Sequence, residues 1–215
     1  MTEIVIEIYI EVGKTRSVAC SWEWPGWCRY GKTAESAQQA LLDAAPRYQR
    51  IALQAGFDFA LPTQVVSTQL QGNSNTDWAP TLITERDLEP RADADRARDV
   101  VLLRTAWATL DEGAATSSPT LRKGPRGGGR EVAQIVQHCI EAELAYARKI
   151  GIKHPTIAST DSAALAAFRD AIAATLLAAS DGTPIIPGGW PEAYAVRRMA
   201  WHIIDHIWEI EDRQM

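Results

Sequence analysis

The apolar side chains follow one period at the start of this chain and another at its end, and that difference limits the folds open to it. From residue 4 to residue 12 they recur at every second position. Ile4, Ile6, Ile8, Ile10 and Val12 take one face of an extended chain, and Glu3, Val5, Glu7, Tyr9 and Glu11 take the other. A period of two describes a half-buried strand. From about residue 92 the spacing becomes that of an α-helix, with apolar residues three and four positions apart. Strands first and helices afterwards make an α+β protein whose sheet and helices lie in separate units.

Within the first part, Val12-Gly13-Lys14 gives a tight turn and Thr15 to Trp22 reads as the hairpin partner. Pro25-Gly26 is a second turn, and Trp27 to Tyr30 is a short third strand. Thr33 is placed to cap a helix from Ala34, whose stripe is Ala37, Leu41, Ala44 and Tyr48. Pro46 should kink or divide that helix, and Gly56 ends it. Thr63 to Leu70 alternates weakly and is expected to return to the sheet. The predicted order over residues 1–72 is β-β-β-α-β. Residues 73–91, polar at Asn73–Asp77 and bracketed further on by Pro80 and Pro90, read as a linker. Trp78 and Leu82 would be wasted in solvent, so the linker is expected to be ordered across the second domain.

Four helical segments follow in residues 92–215. Val100, Leu103, Trp107 and Leu110 share a face in the first, from Arg91 to Leu110. Val132, Ile135, Val136, Cys139 and Tyr146 do so in the second, from Arg130 to Ile150, which Gly151 stops. Leu165, Phe168, Ile172 and Leu176 make the stripe of the third, from Asp161 to Ala179. The fourth opens at Pro191 and runs to Arg213 with Val196, Ala200, Ile203, Ile207 and Ile210 on one stripe. Four amphipathic helices predict a four-helix bundle.

Composition excludes several roles. A net charge of −5 is not that of a nucleic-acid-binding protein. No apolar run approaches membrane-spanning length. The opening MTEIVIEIYIEVG reads as a strand, not a signal peptide, so a cytoplasmic location is expected. Cys20, Cys28 and Cys139 are odd in number and scattered, which predicts buried free thiols.

The chemistry is carried by histidine. His202 and His206 are four residues apart, about one helical turn, so both imidazoles leave the same face of the last helix. They share a stripe with Ala195, Met199 and Glu209, beside the apolar one. His138 lies mid-way along the second helix, on a face with Ile135 and Ala142. Three neutral imidazoles on two helices can hold a divalent metal and leave a position open. HIIDH is not the zincin motif, because it lacks Glu after the first His. Asp205 is turned away from the histidine pair. Glu209 either orients the His206 imidazole or faces solvent. Cys139 is expected to pack rather than ligate, Glu141 to lie at the surface, and His154 to play no part. RKGPRGGGR, residues 122–130, leads into the second helix. Arg122, Arg126 and Arg130 with the free N–H groups of the helix start could hold a carboxylate or phosphate; alternatively the loop is a solvated connection.

Two family resemblances sharpen these expectations. WPGWCRYGKTAESAQQALLDAAPRY, with Pro25, Gly26, Gly31, Thr33 and Glu35, resembles the HicB-like antitoxin fold over roughly the first 70 residues. No ribbon-helix-helix or helix-turn-helix segment accompanies it, so the resemblance implies a reused scaffold or interaction domain. His138 mid-helix and the terminal HIIDHIWEIEDR resemble the DinB/YfiT-like superfamily over residues 92–215. Those proteins are four-helix bundles with one histidine on the second helix and an H-x-x-x-H pair on the last. The resemblance implies a divalent metal, zinc or nickel among the candidates. It also implies thiol-dependent transferase or isomerase chemistry with mycothiol, bacillithiol or glutathione.

The leading expectation is therefore a metal-dependent transferase, isomerase or hydrolase acting on a small-molecule substrate. The alternative is a non-catalytic protein-interaction module with a structural or vestigial metal site. Apolar bundle faces and family precedent make a homodimer the expected assembly; neither nucleic acid nor a membrane is an expected partner.

Overall fold

A computed structural model describes residues 4–123, 129–178 and 180–214. The chain divides into two compact units, one ending at Arg86 and the other beginning at Asp87. The protein is α+β, with a four-stranded mixed sheet in the first unit and four long helices in the second.

In the first unit β1 (Val5–Val12), β2 (Ser17–Ser21), β3 (Cys28–Gly31) and β4 (Gln64–Gln71) form a sheet of order β3-β2-β1-β4. β1 pairs antiparallel with β2 and parallel with β4, Ile8 lying opposite Ser21 on one side and Ser67 on the other. A parallel return needs a crossover, which α1 (Ala34–Asp43) and α2 (Ala45–Gln54) supply. Pro46 falls in the first turn of α2, where its missing N–H has no intrahelical acceptor to lose, so one expected helix becomes two. Thr33 and Ser36 close a capping box on α1. Gly31 is required just before it, because a Cβ there would overlap Ser36 and the Ala37 amide. Trp27 stacks on Tyr48 of α2, and Phe59 meets Trp27 edge-on. The Trp27 indole donates to the Leu41 carbonyl at 3.1 Å and the Tyr48 hydroxyl to that of Pro25 at 2.8 Å.

β1 departs from the half-buried strand its alternation predicts. Val5 and Glu7 are exposed, but Tyr9 and Glu11, on the same face, are fully buried. Trp22 covers Tyr9, with ring centroids 4.9 Å apart. The segment after β4 folds back over Glu11. The Glu11 carboxylate accepts the backbone N–H groups of Thr81 and Leu82 at 2.9 and 3.0 Å and the Thr76 hydroxyl at 3.2 Å. Asp77 accepts the N–H groups of Thr15 and Arg16 across the first hairpin. Residues 73–86, expected to be linker, are thereby part of the first unit. Trp78, expected to be packed, is 79% exposed.

The second unit consists of α3 (Asp93–Thr116), α4 (Val132–Ala147), α5 (Ser162–Leu177) and α6 (Glu192–Arg213). α3 runs past the expected Leu110. α4 tightens into a 3-10 turn over Arg148–Ile150 and stops at Gly151, whose φ of 88° only glycine adopts freely. α6 is buried along most of its length and packs most closely on α3. Buried charge fixes these helices against one another. Arg197 is bidentate to Asp87 at 2.6 Å, and Arg169 grips Glu143 at 3.1 Å and Asp111 at 2.9 Å. Arg91 lies between Asp99 at 2.6 Å and Glu192 at 3.2 Å. No described helix is long and apolar enough to cross a membrane. Cys20, Cys28 and Cys139 are buried free thiols.

Candidate metal centre

α6 carries His202 and His206 on successive turns, each 8% exposed. α4 brings His138 against them, with ring centroids 5.1 Å from His202 and 5.0 Å from His206; the α6 pair are 4.7 Å apart. One nitrogen from each imidazole lies within 4.8 Å of the others. Three points so spaced can be reached from one centre at most about 2.8 Å away. Zinc–nitrogen bonds are about 2.0–2.1 Å, so side-chain adjustments of less than about an ångström close the site.

His206 is oriented for that role. Its Nδ1–H donates to Glu209 Oε2 at 2.8 Å, which leaves the Nε2 lone pair as the one free to bind a cation. That hydrogen bond, more than any other influence, holds the Glu209 carboxyl below its ordinary range. Glu209 Oε1 in turn accepts Arg213 Nη1 at 2.8 Å, and Arg213 also donates to the carbonyls of Arg130 and Arg122. A chain of hydrogen bonds thus runs from the imidazole through a carboxylate to the backbone that flanks the entry to α4. Of the two roles open to Glu209, the structure has it holding the ring.

His202 has no such support. Its Nδ1 is buried without a hydrogen-bond partner. Burial, then the neighbouring His206 and His138, hold its pKa well below the ordinary imidazole range. Burial and Arg130 lower that of His138 as well. Neutral imidazoles are the form that binds metal. An orphaned nitrogen beside two convergent rings fits a cation that would satisfy it.

Sequence reasoning gave Tyr146, Trp190 and Arg198 no part in this site. Tyr146, on α4, meets His202 edge-on at 5.7 Å, and Trp201 does so at 5.9 Å. Trp190 packs on Tyr146 at 5.3 Å. Arg198 lies over Tyr146 at 5.1 Å and Trp201 at 4.5 Å. The available signal was helical spacing: Arg198 is one turn before His202 and Arg213 one turn after Glu209.

The anion-binding candidates lie in different situations. Arg122 is committed to the end of α6, its side chain donating to the Asp212 carbonyl at 2.6 Å and its backbone to that of Arg213 at 2.8 Å. Arg126 falls outside the described residues. Arg130 is exposed and near enough to depress His138. The start of α4 already has a carboxylate. Glu131 and Gln134 form a capping box there, and Glu131 Oε2 also accepts the Leu121 N–H at 2.8 Å. Cys139 is fully buried, and burial pushes its thiol pKa up. Glu141 is exposed, and His154 packs beside Phe168 at 5.4 Å. The chain matches no protein-family model, no curated protein and no solved structure.

Proposed function

We propose that His138, His202 and His206 hold a divalent cation in a facial site, and that the second unit is a DinB/YfiT-like four-helix bundle acting as a metal-dependent enzyme on a small molecule. The observation that carries this reading is the convergence of three imidazole nitrogens within 4.8 Å, one ring being held by Glu209. An all-imidazole set suits zinc or nickel. A cation of this kind lowers the pKa of a water or thiol bound to it toward neutrality. The chain's own residues prepare the place. Burial keeps His202 and His138 neutral, Glu209 fixes the tautomer of His206, and Tyr146 and Trp201 wall one side from water. The reaction class is thiol-dependent transfer, isomerisation or hydrolysis, with a low-molecular-weight thiol such as mycothiol or bacillithiol as co-substrate. The first unit, HicB-like in its three strands, helical crossover and parallel returning strand, acts as a scaffold or interaction domain, and the assembly is a homodimer.

The test is metal content by elemental mass spectrometry on untagged protein, wild type beside His138→Ala and His206→Ala. Near-stoichiometric zinc or nickel in the wild type, lost from both variants, supports the reading. Wild-type protein that takes up neither metal after reconstitution refutes it.

A further inference from the structure

Arg197 and Arg198 are neighbours on α6, about 100° apart around the helix, and they meet opposite surroundings. Arg197 is fully paired with Asp87. Arg198 has no carboxylate among the described residues. Its guanidinium lies over the rings of Tyr146 and Trp201, and its Nη1 is buried without a hydrogen-bond partner. The indole N–H of Trp201 is buried and unpartnered in the same way. Leaving such donors unmet is unfavourable, and most of all for a charged one. Native proteins satisfy nearly all their buried polar groups, so two adjacent donors without acceptors mark a place where a ligand supplies one. His202, whose own Nδ1 is unpartnered, stands one turn further along, about 6 Å by helical rise. The corner is cationic, flat-walled and rich in donors.

We infer that Arg198 and the Trp201 indole N–H form an anion-holding corner of the three-histidine site, and that the organic ligand of this site carries a carboxylate a few bonds from the atom that reaches the metal. The inference rests on the metal reading above and names the class of molecule it would act on. A single planar guanidinium fits a carboxylate edge. With only one arginine and one indole N–H converging, a monoanion matches better than a doubly charged phosphate. The aromatic faces of Tyr146 and Trp201 hold the guanidinium plane in place for that contact.

The test uses the full chain loaded with cobalt(II), whose visible spectrum changes when a thiolate binds. Two probes of similar size are titrated, 3-mercaptopropionate and 2-mercaptoethanol. A charge-assisted contact of this kind should favour the carboxylate-bearing thiol by about 10-fold or more. That preference should fall to about 2-fold or less in Arg198→Met, which keeps the stem on the rings and removes the charge. Equal affinities in the wild type, or a preference that survives Arg198→Met because the probe chelates cobalt by itself, overturn the inference and leave the metal reading standing. Wild-type protein that does not bind cobalt overturns both. Should Arg198→Met fail to retain cobalt, Trp201→Phe decides. It removes only the N–H, so a several-fold loss of preference supports the corner and an unchanged preference overturns it.

Discussion

Glu11 in the first unit and the Arg198–His206 stretch of α6 in the second are both buried and polar, yet they are built in opposite ways. Glu11 is sealed, and its contacts with Thr76, Thr81 and Leu82 tie a distant stretch of chain to β1. On α6, by contrast, Arg198, Trp201 and His202 each present a buried polar atom with no partner. A satisfied buried group stabilises one arrangement of the chain; an unsatisfied one is a standing cost that the rest of the fold must offset. The first pattern is what architecture requires, and the second is what a ligand site requires. α6 contains both, since Arg197 is satisfied by Asp87 one position before Arg198.

The contrast is broken most sharply at Asp87. Asp87→Ala leaves Arg197 buried with its principal counter-charge removed, and breaking a buried pair in this way costs about 3–5 kcal/mol. Arg198→Met should change stability by less than about 1 kcal/mol, because no counter-charge is lost and the methionine stem stays on the rings of Tyr146 and Trp201. Urea denaturation of the two variants beside wild type checks this. Equal destabilisation would mean that the two arginines are not structurally different.

Glu192 is an intermediate case, a buried carboxylate that must share Arg91 with Asp99. Burial outweighs Arg91 and raises its pKa to about 7 from an ordinary 4.5. The folded state then binds more protons than the unfolded one between those values. Stability should be greatest below about pH 4.5 on this account and fall as pH rises through 7, by at most about 3 kcal/mol. Glu192→Gln removes that slope. His202 is depressed in both proteins and contributes a slope of opposite sign below pH 6.5, so the difference between wild type and Glu192→Gln removes it and reports Glu192 with the Asp99 carboxylate that shares Arg91. The measurement is urea stability of both at pH 5 and pH 8. A difference that does not move in favour of Gln at the higher pH contradicts the sign.

What was legible in the sequence follows the same division. The strand period, the helix cap at Thr33, the split at Pro46 and the stop at Gly151 are local, and the structure has them where the spacing put them. The three histidines were legible because an i, i+4 pair is a local geometric fact and a helix start and stop bracket His138. The burial of Tyr9 and Glu11 was not, because Glu11 is covered by residues about 70 positions further on and no period reports that. Trp78 misled for the converse reason: its apolar character called for burial, and the turn that carries it is held instead through Asp77. Arg198 could not be told from Arg197 at all. Their difference lies in which one finds a carboxylate, and that is decided by where α6 meets Asp87.

Glu209 tests whether support for a ligand site can be removed without harming the fold. It holds His206 through Nδ1 and is partly exposed, at 28%. Glu209→Ala should lower metal affinity by about 10–100-fold, measured by competition with a coloured chelator. Stability without metal should change little. An affinity within about 2-fold of wild type would make the His206–Glu209 bond a bystander.

The smallest effect is the most discriminating. In metal-free protein, His202→Leu replaces an imidazole whose Nδ1 is buried and unpaired with an apolar side chain of similar size. Replacing an unsatisfied buried group with an apolar one is neutral or favourable, and sites built for function commonly give up stability to keep such groups. His202→Leu should therefore raise the unfolding free energy measured by urea in the presence of a chelator, by about 1 kcal/mol, while abolishing metal uptake. The same substitution at a satisfied group, Glu11→Leu, should lower it, since Thr81 and Leu82 then lose their acceptor. Opposite signs from the same replacement would separate a residue kept for its ligand from one kept for the fold. If His202→Leu instead destabilises the metal-free protein as Glu11→Leu does, His202 belongs to the architecture and the contrast between the two regions fails at its central residue.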